Sequence, residues 1–192
     1  MQKVILTMSM SVDGYIAGPN ISQETPMGEG GMRLHDWLFN SKDERDAQAI
    51  AEHVASCGAV IVGGFTYEIA IEGAWASSSP FNMPAFVVTH RIPKRRVDGF
   101  VYVIDGQEDA LHQAKEIAGE KNVWVMGGAR AGQALISASL IDEVHIQLIS
   151  VLLGGGTRLF EQSGKGHIEL ERLKTVETET ATHLYFRVLK DK

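Results

Sequence analysis

The chain is 192 residues long, 44% hydrophobic and 22% charged, with 7 Phe, 4 Tyr and 3 Trp. Disordered chains lack the apolar surface to offset their ordering entropy, so disorder and fibrous classes drop out. Its 18 Lys and Arg against 24 Asp and Glu leave a formal charge of −6, which argues against a broad footprint on nucleic acid, so any phosphate must meet a local site. A chain of this length buries about 70% of its unfolded surface, and one domain spanning residues 1–192 is expected. No run nears the roughly 18 apolar residues of a membrane span. The single Cys57 has no internal disulfide partner, and the opening MQKVILTMSM lacks the features of a signal peptide, so the expected compartment is the cytoplasm.

In chain order, residues 4–8 are the first of six short, β-branched apolar runs bounded by glycine or proline. The others are 59–62, 85–89, 100–104, 123–126 and 144–149, and each reads as a buried strand. Residues 18–32, with Pro19, Asn20, Pro26, Gly28, Gly30 and Gly31, form a long irregular stretch that is either a mobile flap over an active site or a tolerated insertion. Residues 43–56 place Ala47, Ile50, Ala51 and Val54 on one helical face, with Asp43 to cap the start and Gly58 after the end. The pattern returns in 107–118, through Ala110, Leu111, Ala114, Ile117 and Ala118, and in 129–139, through Ala134, Leu135, Ile136 and Ala138.

Strand and helix thus alternate, which predicts an α/β fold: a three-layer α/β/α sandwich with a mostly parallel central sheet. The last quarter changes to period 2. Residues 167–178 and 182–189, with Leu184, Phe186 and Val188 on one face, predict a C-terminal antiparallel hairpin closing one sheet edge.

The clearest chemical signal is Val123-Trp124-Val125-Met126-Gly127-Gly128-Ala129-Arg130, a strand that stops at paired glycines and opens into a helix. Glycine lets a ligand approach the backbone, and the unpaired N–H groups of a helix's first turn favour an anion. The same residues also suit a plain strand-to-helix turn, and they are not the full dinucleotide fingerprint. A second pair, Gly63-Gly64, ends the run 59–62 and leads through Phe65, Thr66, Tyr67 and Glu68 into another helix. If the sheet is parallel, both turns lie on the carboxyl rim where ligands of open α/β sheets bind. After the run 85–89, His90, Arg91, Lys94, Arg95 and Arg96 gather positive charge in an acidic chain. Thr89, His90 and Arg91 could together bind a compact dianion, although a basic run beside a proline also suits a solvated turn. The seven histidines show no metal-ligand spacing, and Ser77-Ser78-Ser79-Pro80 reads as a loop. Asp13-Gly14 reads first as a turn.

Five segments in this order resemble the dihydrofolate reductase superfamily, and most closely the C-terminal reductase domain of bifunctional riboflavin-biosynthesis deaminase-reductases. They are Met8-Ser9-Met10-Ser11-Val12-Asp13-Gly14-Tyr15-Ile16-Ala17, Gly63-Gly64-Phe65-Thr66-Tyr67-Glu68, Val87-Val88-Thr89-His90-Arg91, Val125-Met126-Gly127-Gly128, and the stretch from Leu140 through Gly154-Gly155-Gly156 to Phe160. The resemblance implies NADPH as cofactor, with its pyrophosphate on Gly127, Gly128, Ala129 and Arg130. The 2′-phosphate falls on Gly63, Gly64, Phe65 and Thr66 with Thr89, His90 and Arg91, and the nicotinamide amide meets backbone groups of Ile16 and Ala17. Where the family usually carries Gly-Arg, this chain has Gly63-Gly64, which weakens the expected preference for NADPH over NADH unless Arg91 substitutes.

Hydride transfer asks the protein for placement, a dry pocket and a proton. By resemblance, the pocket acid is Asp36, on a short helix after residues 18–32, and Met8 and Gln147 line the substrate cleft. Asp36 also suits a plain surface helix position. The implied function is an NADPH-dependent reductase acting on a small heterocyclic or sugar-linked substrate, such as a riboflavin-pathway pyrimidine. The implied partners are that small molecule and a second copy in a homodimer, with no nucleic acid and no membrane. A non-catalytic NADPH- or nucleotide-binding protein is the alternative, and a scaffold protein the third.

Overall fold

The computed structural model describes residues 1–161 and 166–190. Its elements, in order, are β1 (Val4–Ser11), β2 (Tyr15–Ala17), a 3-10 turn (Gly31–His35), α1 (Asp36–Phe39), α2 (Glu44–Ser56), β3 (Cys57–Gly63) and α3 (Gly64–Ala70). There follow β4 (Ala85–Val88), β5 (Phe100–Val103), α4 (Gln107–Ala118), β6 (Asn122–Gly127), α5 (Ala129–Ser137), β7 (Glu143–Ile149), β8 (Thr157–Arg158), β9 (Leu170–Glu177) and β10 (Thr182–Val188).

Eight strands make one sheet in the order β5-β4-β3-β6-β1-β7-β10-β9. The first six run parallel, and β10 pairs antiparallel with both β7 and β9. This is the three-layer, mostly parallel sandwich with a C-terminal hairpin that the alternation predicted. All six apolar runs are strands, though β1 continues three residues past Met8, to Ser11. The small antiparallel pair β2-β8 was not predicted. Its segments are too short to carry a period.

Parallel strands covered on both faces read as continuous apolar runs, and Val4, Ile5 and Leu6 are all buried. One face packs on α4 and α5, where Val4, Leu6, Ala59, Ile61, Val123 and Val125 meet Ala110, Leu111, Ala114 and Leu135. Leu184 and Val188 of the hairpin join that core. On the other face, Val60, Val62, Ala85 and Val87 pack against Tyr67 and Ile71 of the α3 segment.

Helix α2 starts where Asp43 was expected to cap it: the carboxylate accepts the Arg45 N–H at 3.0 Å. The Arg45 side chain also clasps it, and its donors hold the Asp43 carboxyl down to about 2. The buried face differs from the predicted one. Asp46 and His53 point inward, Ile50 and Val54 are half-buried, and Ala47 and Ala51 are exposed. The cause is the sheet beneath, because β1, β7 and β10 turn Thr7, Ser9, Glu143, His145, Gln147 and His183 toward this side. A buried polar group needs a partner, so the helix presents polar residues to polar residues. Gly58, expected just after the helix, lies within β3, because α2 passes into the strand at Cys57 without a loop.

Candidate active site

The parallel strands β3, β4 and β6 end on one rim, and the glycine turns meet there. A Cβ on Gly63 would lie 3.2 Å from the Gly128 nitrogen, and one on Gly64 would lie 3.0 Å from the Val88 carbonyl and 3.1 Å from the Thr89 side chain. The two glycine pairs and the turn after β4 therefore touch one another. Side chains larger than hydrogen would force them apart, and that contact is a packing reason for glycine here.

Helix α5 begins at Ala129 with Gly128 as its N-cap and no side chain capping it. Ala131 and Gly132 donate to the Gly128 carbonyl, whereas the earlier N–H groups of the first turn have no intrahelical acceptor. The arrangement offers open N–H groups, the positive end of a helix dipole and no Cβ in the way, which suits an anionic oxygen.

Beside it, Thr89 turns back on itself: its N–H reaches the Val103 carbonyl and its hydroxyl donates to the Arg91 carbonyl at 3.0 Å. The two bonds fix the turn that carries His90 and Arg91, both exposed. Arg95 is tied to Glu72 at 3.3 Å and to the Ala76 carbonyl at 2.9 Å, while the Arg91 guanidinium has no acidic partner among the described residues. Phe65, at the start of α3, is 61% exposed on the same rim. Ile16 and Ala17 lie on β2, buried and paired through that strand with β8.

The stretch 18–32 closes on itself. The Gly18 N–H reaches the Met27 carbonyl, the Glu29 N–H reaches that of Pro19, and Ser22, Thr25 and Asn20 bond within the loop. The stretch ends in the turn that leads to α1.

On the α1–α2 side of the sheet, the register puts Ser9, Gln147 and His183 in one row across β1, β7 and β10. Trp37 spans that row, donating its indole N–H to the Ser9 hydroxyl at 2.8 Å and setting its ring edge-on to His183 at 5.1 Å. Asp46 closes the row, with His183 Nε2 2.6 Å from its Oδ1. Burial works against the Asp46 charge, but the hydroxyls of Ser41 and Thr180 and the His183 imidazole outweigh it and hold the carboxyl below its usual range. The Gln147 side chain, in a buried residue, makes no hydrogen bond among the described residues, and the buried His183 Nδ1 has no partner there. A second row, Thr7 and His145, lies under His53, whose Nε2 is 3.3 Å from the Thr7 hydroxyl. Burial and the neighbouring His145 push the His53 pKa down to about 4.

The structure thus brings Gly63, Gly64, Thr66, Thr89, Gly127 and Gly128 together on one rim. Met8 and Gln147 lie on opposite faces: the Met8 side chain approaches Gly127 on the α5 side, while Gln147 faces α1. Asp36 is half-buried, ion-paired with Arg33 at 3.1 Å and bonded to the Asn40 amide at 2.9 Å, and Trp37 is the residue of α1 that reaches the sheet. Asp46, His183 and Ser9 were not singled out from the sequence. The available signal was the alternation of Glu143, His145 and Gln147 with apolar residues inside a run that reads as a buried strand.

Similarity to known proteins agrees with this frame. The chain is 25% identical over 162 residues to the uncharacterized protein YwjB of Bacillus subtilis (strain 168), covering 84% of each. A solved protein of Shewanella sp. PV-4, named for riboflavin biosynthesis, superposes with a TM-score of 0.72 at 18% identity, covering 98% of this chain and 100% of that one. Dihydrofolate reductase from Enterococcus faecalis superposes with a TM-score of 0.61 at 16% identity, covering 98% and 97%. At these identities the likenesses establish a shared fold. The model of the RibD C-terminal domain matches residues 2–184, and the protein belongs to that family.

Proposed function

We propose that this protein is a reductase that takes hydride from NADPH and delivers it to a small heterocyclic or sugar-linked substrate, a riboflavin-pathway pyrimidine being the first candidate. The observation that carries the reading is the meeting of Gly63, Gly64, Gly127 and Gly128 beside an uncapped helix start. Family membership and the Enterococcus faecalis relative, solved with NADP(H), support it.

In this reading the pyrophosphate rests on Gly127, Gly128, Ala129 and Arg130, and the 2′-phosphate on Thr66, Thr89, His90 and Arg91. The nicotinamide end meets Ile16 and Ala17, with Met8 behind Gly127. When bound, the cofactor supplies the hydride. The chain's own residues orient the acceptor against Gln147, Ser9 and Trp37, exclude water and hold a proton. To hold it, Asp36 would have to release Arg33 and Asn40. Asp46, buried on His183 and held below its usual range, is a carboxylate at neutral pH; it positions His183, and the proton stays with Asp36. A homodimer is the assembly that the family resemblance implies, and sedimentation analysis tests it.

The test of function is steady-state loss of nicotinamide absorbance with NADPH and a panel of pyrimidine ribityl precursors, pteridines and small ketones. Turnover with one of them is expected. Confirmed NADPH binding with no turnover of any member would favour a nucleotide-binding protein without catalysis.

A further inference from the structure

An Asp-Gly pair after a strand ordinarily makes a local turn, in which the aspartate bonds to its own neighbouring backbone. Asp13 does more than that. Its Oδ1 accepts the Ser11 hydroxyl at 2.6 Å and the Leu153 N–H at 3.1 Å, and its Oδ2 accepts the Gly154 N–H at 2.7 Å. Two of these three donors lie about 140 residues away along the chain. The Ser11 hydroxyl, while donating to Asp13, accepts the Tyr15 N–H at 2.9 Å. Arg158 donates to the Asp13 carbonyl and to the Tyr15 hydroxyl, and its guanidinium lies 4.4 Å over the Tyr15 ring.

These bonds join the β1–β2 turn to the loop that follows β7. That loop contains Gly154, Gly155 and Gly156 in succession and has no regular structure of its own before β8, so its path is set by what it is tied to. It runs close against the strand beside it: a Cβ on Gly156 would fall 2.0 Å from the Ala17 carbonyl. Asp13 therefore fixes the separation of two backbone segments whose shared product is the placement of Ile16 and Ala17. Ser11, first, then Gly154 and Leu153 hold the Asp13 carboxyl below its ordinary range, so the carboxylate keeps its acceptor role at neutral pH.

We propose that Asp13 is a positioning residue for the nicotinamide end of the cofactor site: it clamps the β1–β2 turn to residues 152–156 and so sets the backbone of Ile16 and Ala17. The proposal rests on the cofactor reading above. It separates the two ends of the cofactor, because Asp13 touches nothing at the glycine turns and the 89–91 segment, which would hold the adenosine half.

The test compares two ligands in wild type and Asp13→Asn. NADPH has both ends, and adenosine 2′,5′-diphosphate has only the adenosine half. The asparagine NH2 would face backbone N–H groups and lose at least one charge-assisted bond, so the dissociation constant for NADPH should rise about tenfold or more. That for adenosine 2′,5′-diphosphate should stay within about twofold. Ser11→Ala, which removes one donor to Asp13 and the acceptor for Tyr15, should move the two ligands in the same pattern with a smaller change, and it serves if Asp13→Asn does not fold. Equal weakening of both ligands in either variant, or unchanged NADPH affinity, overturns the proposal. A wild type that binds neither ligand overturns the cofactor reading beneath it.

Discussion

His183 Nε2 lies 2.6 Å from Asp46 Oδ1, and the two side chains are 0% and 1% exposed. The pair ties α2 to the far strand of the hairpin, 137 residues on. Removing one partner of such a buried pair strands the other's charge or donor, at a cost of about 3–5 kcal/mol. Asp46→Ala should therefore lower the urea unfolding free energy by that order. The Asp46→Leu/His183→Leu double variant should lose less than the sum of the two single losses. Additive losses would mean that the two side chains do not act as a unit.

The same residue is separable from Asp36 in catalysis. Asp36→Asn is expected to reduce kcat by a factor of about 100 or more, the usual range for losing a proton-transfer group. Asp46→Asn, with the fold confirmed by circular dichroism, should lose less in kcat than Asp36→Asn, because Asp46 positions His183 and transfers no proton. The reverse ranking would move the proton to Asp46.

Asp46 also shows where the sequence stopped being legible. The six apolar runs, the capping Asp43 and the glycine pairs carry their meaning locally, through period and turn chemistry, and each lies where it was expected. The inward face of α2 depends on what the sheet presents to it. In β7 the run 144–149 reads as a buried strand, but its alternation of Glu143, His145 and Gln147 with Val144, Ile146 and Leu148 does not say what the polar face packs against. Only the register of β7 with β1 and β10, and the cover of α2, reveals that both faces are buried. Ala47 and Ala51 fitted an apolar stripe on spacing alone, and the buried polar network turned them outward.

Gly128 tests whether the glycine turn binds or only connects. A Cβ there would be 3.1 Å from the Thr66 hydroxyl, and its backbone is not left-handed, so Gly128→Val should fold with modest local adjustment. Its side chain would occupy the approach to the α5 N–H groups. Affinity for both NADPH and NADH is expected to fall at least 100-fold by fluorescence titration. Unchanged affinity would leave the turn a structural connection.

Arg91 has no acidic partner among the described residues, and Gly64 supplies no guanidinium of its own. Arg91→Ala should weaken NADPH by about tenfold, the worth of one charge-assisted contact, and leave NADH nearly unaffected. Equal losses for the two cofactors would remove Arg91 from the 2′-phosphate site.

His53 predicts a pH dependence. Its folded pKa is pushed from 6.5 down to about 4 by burial and by His145. Between those values the unfolded chain takes a proton that the folded protein refuses, so the stabilisation is full above pH 6.5 and declines as pH falls toward 4. The decline from this group is about 3 kcal/mol. Burial pushes His145 the same way. Melting curves from pH 7 to 4 should show a smaller acid loss for His53→Gln than for wild type. Parallel curves would assign the loss to other groups.

The most direct test of the cofactor rim is a crystal structure of the protein grown with NADPH. The account predicts pyrophosphate oxygens within hydrogen-bond distance of the N–H groups at Gly128 and Ala129, with the 2′-phosphate beside Thr89 and Arg91. A cofactor bound elsewhere, with the rim between Gly63 and Gly128 empty, would contradict it.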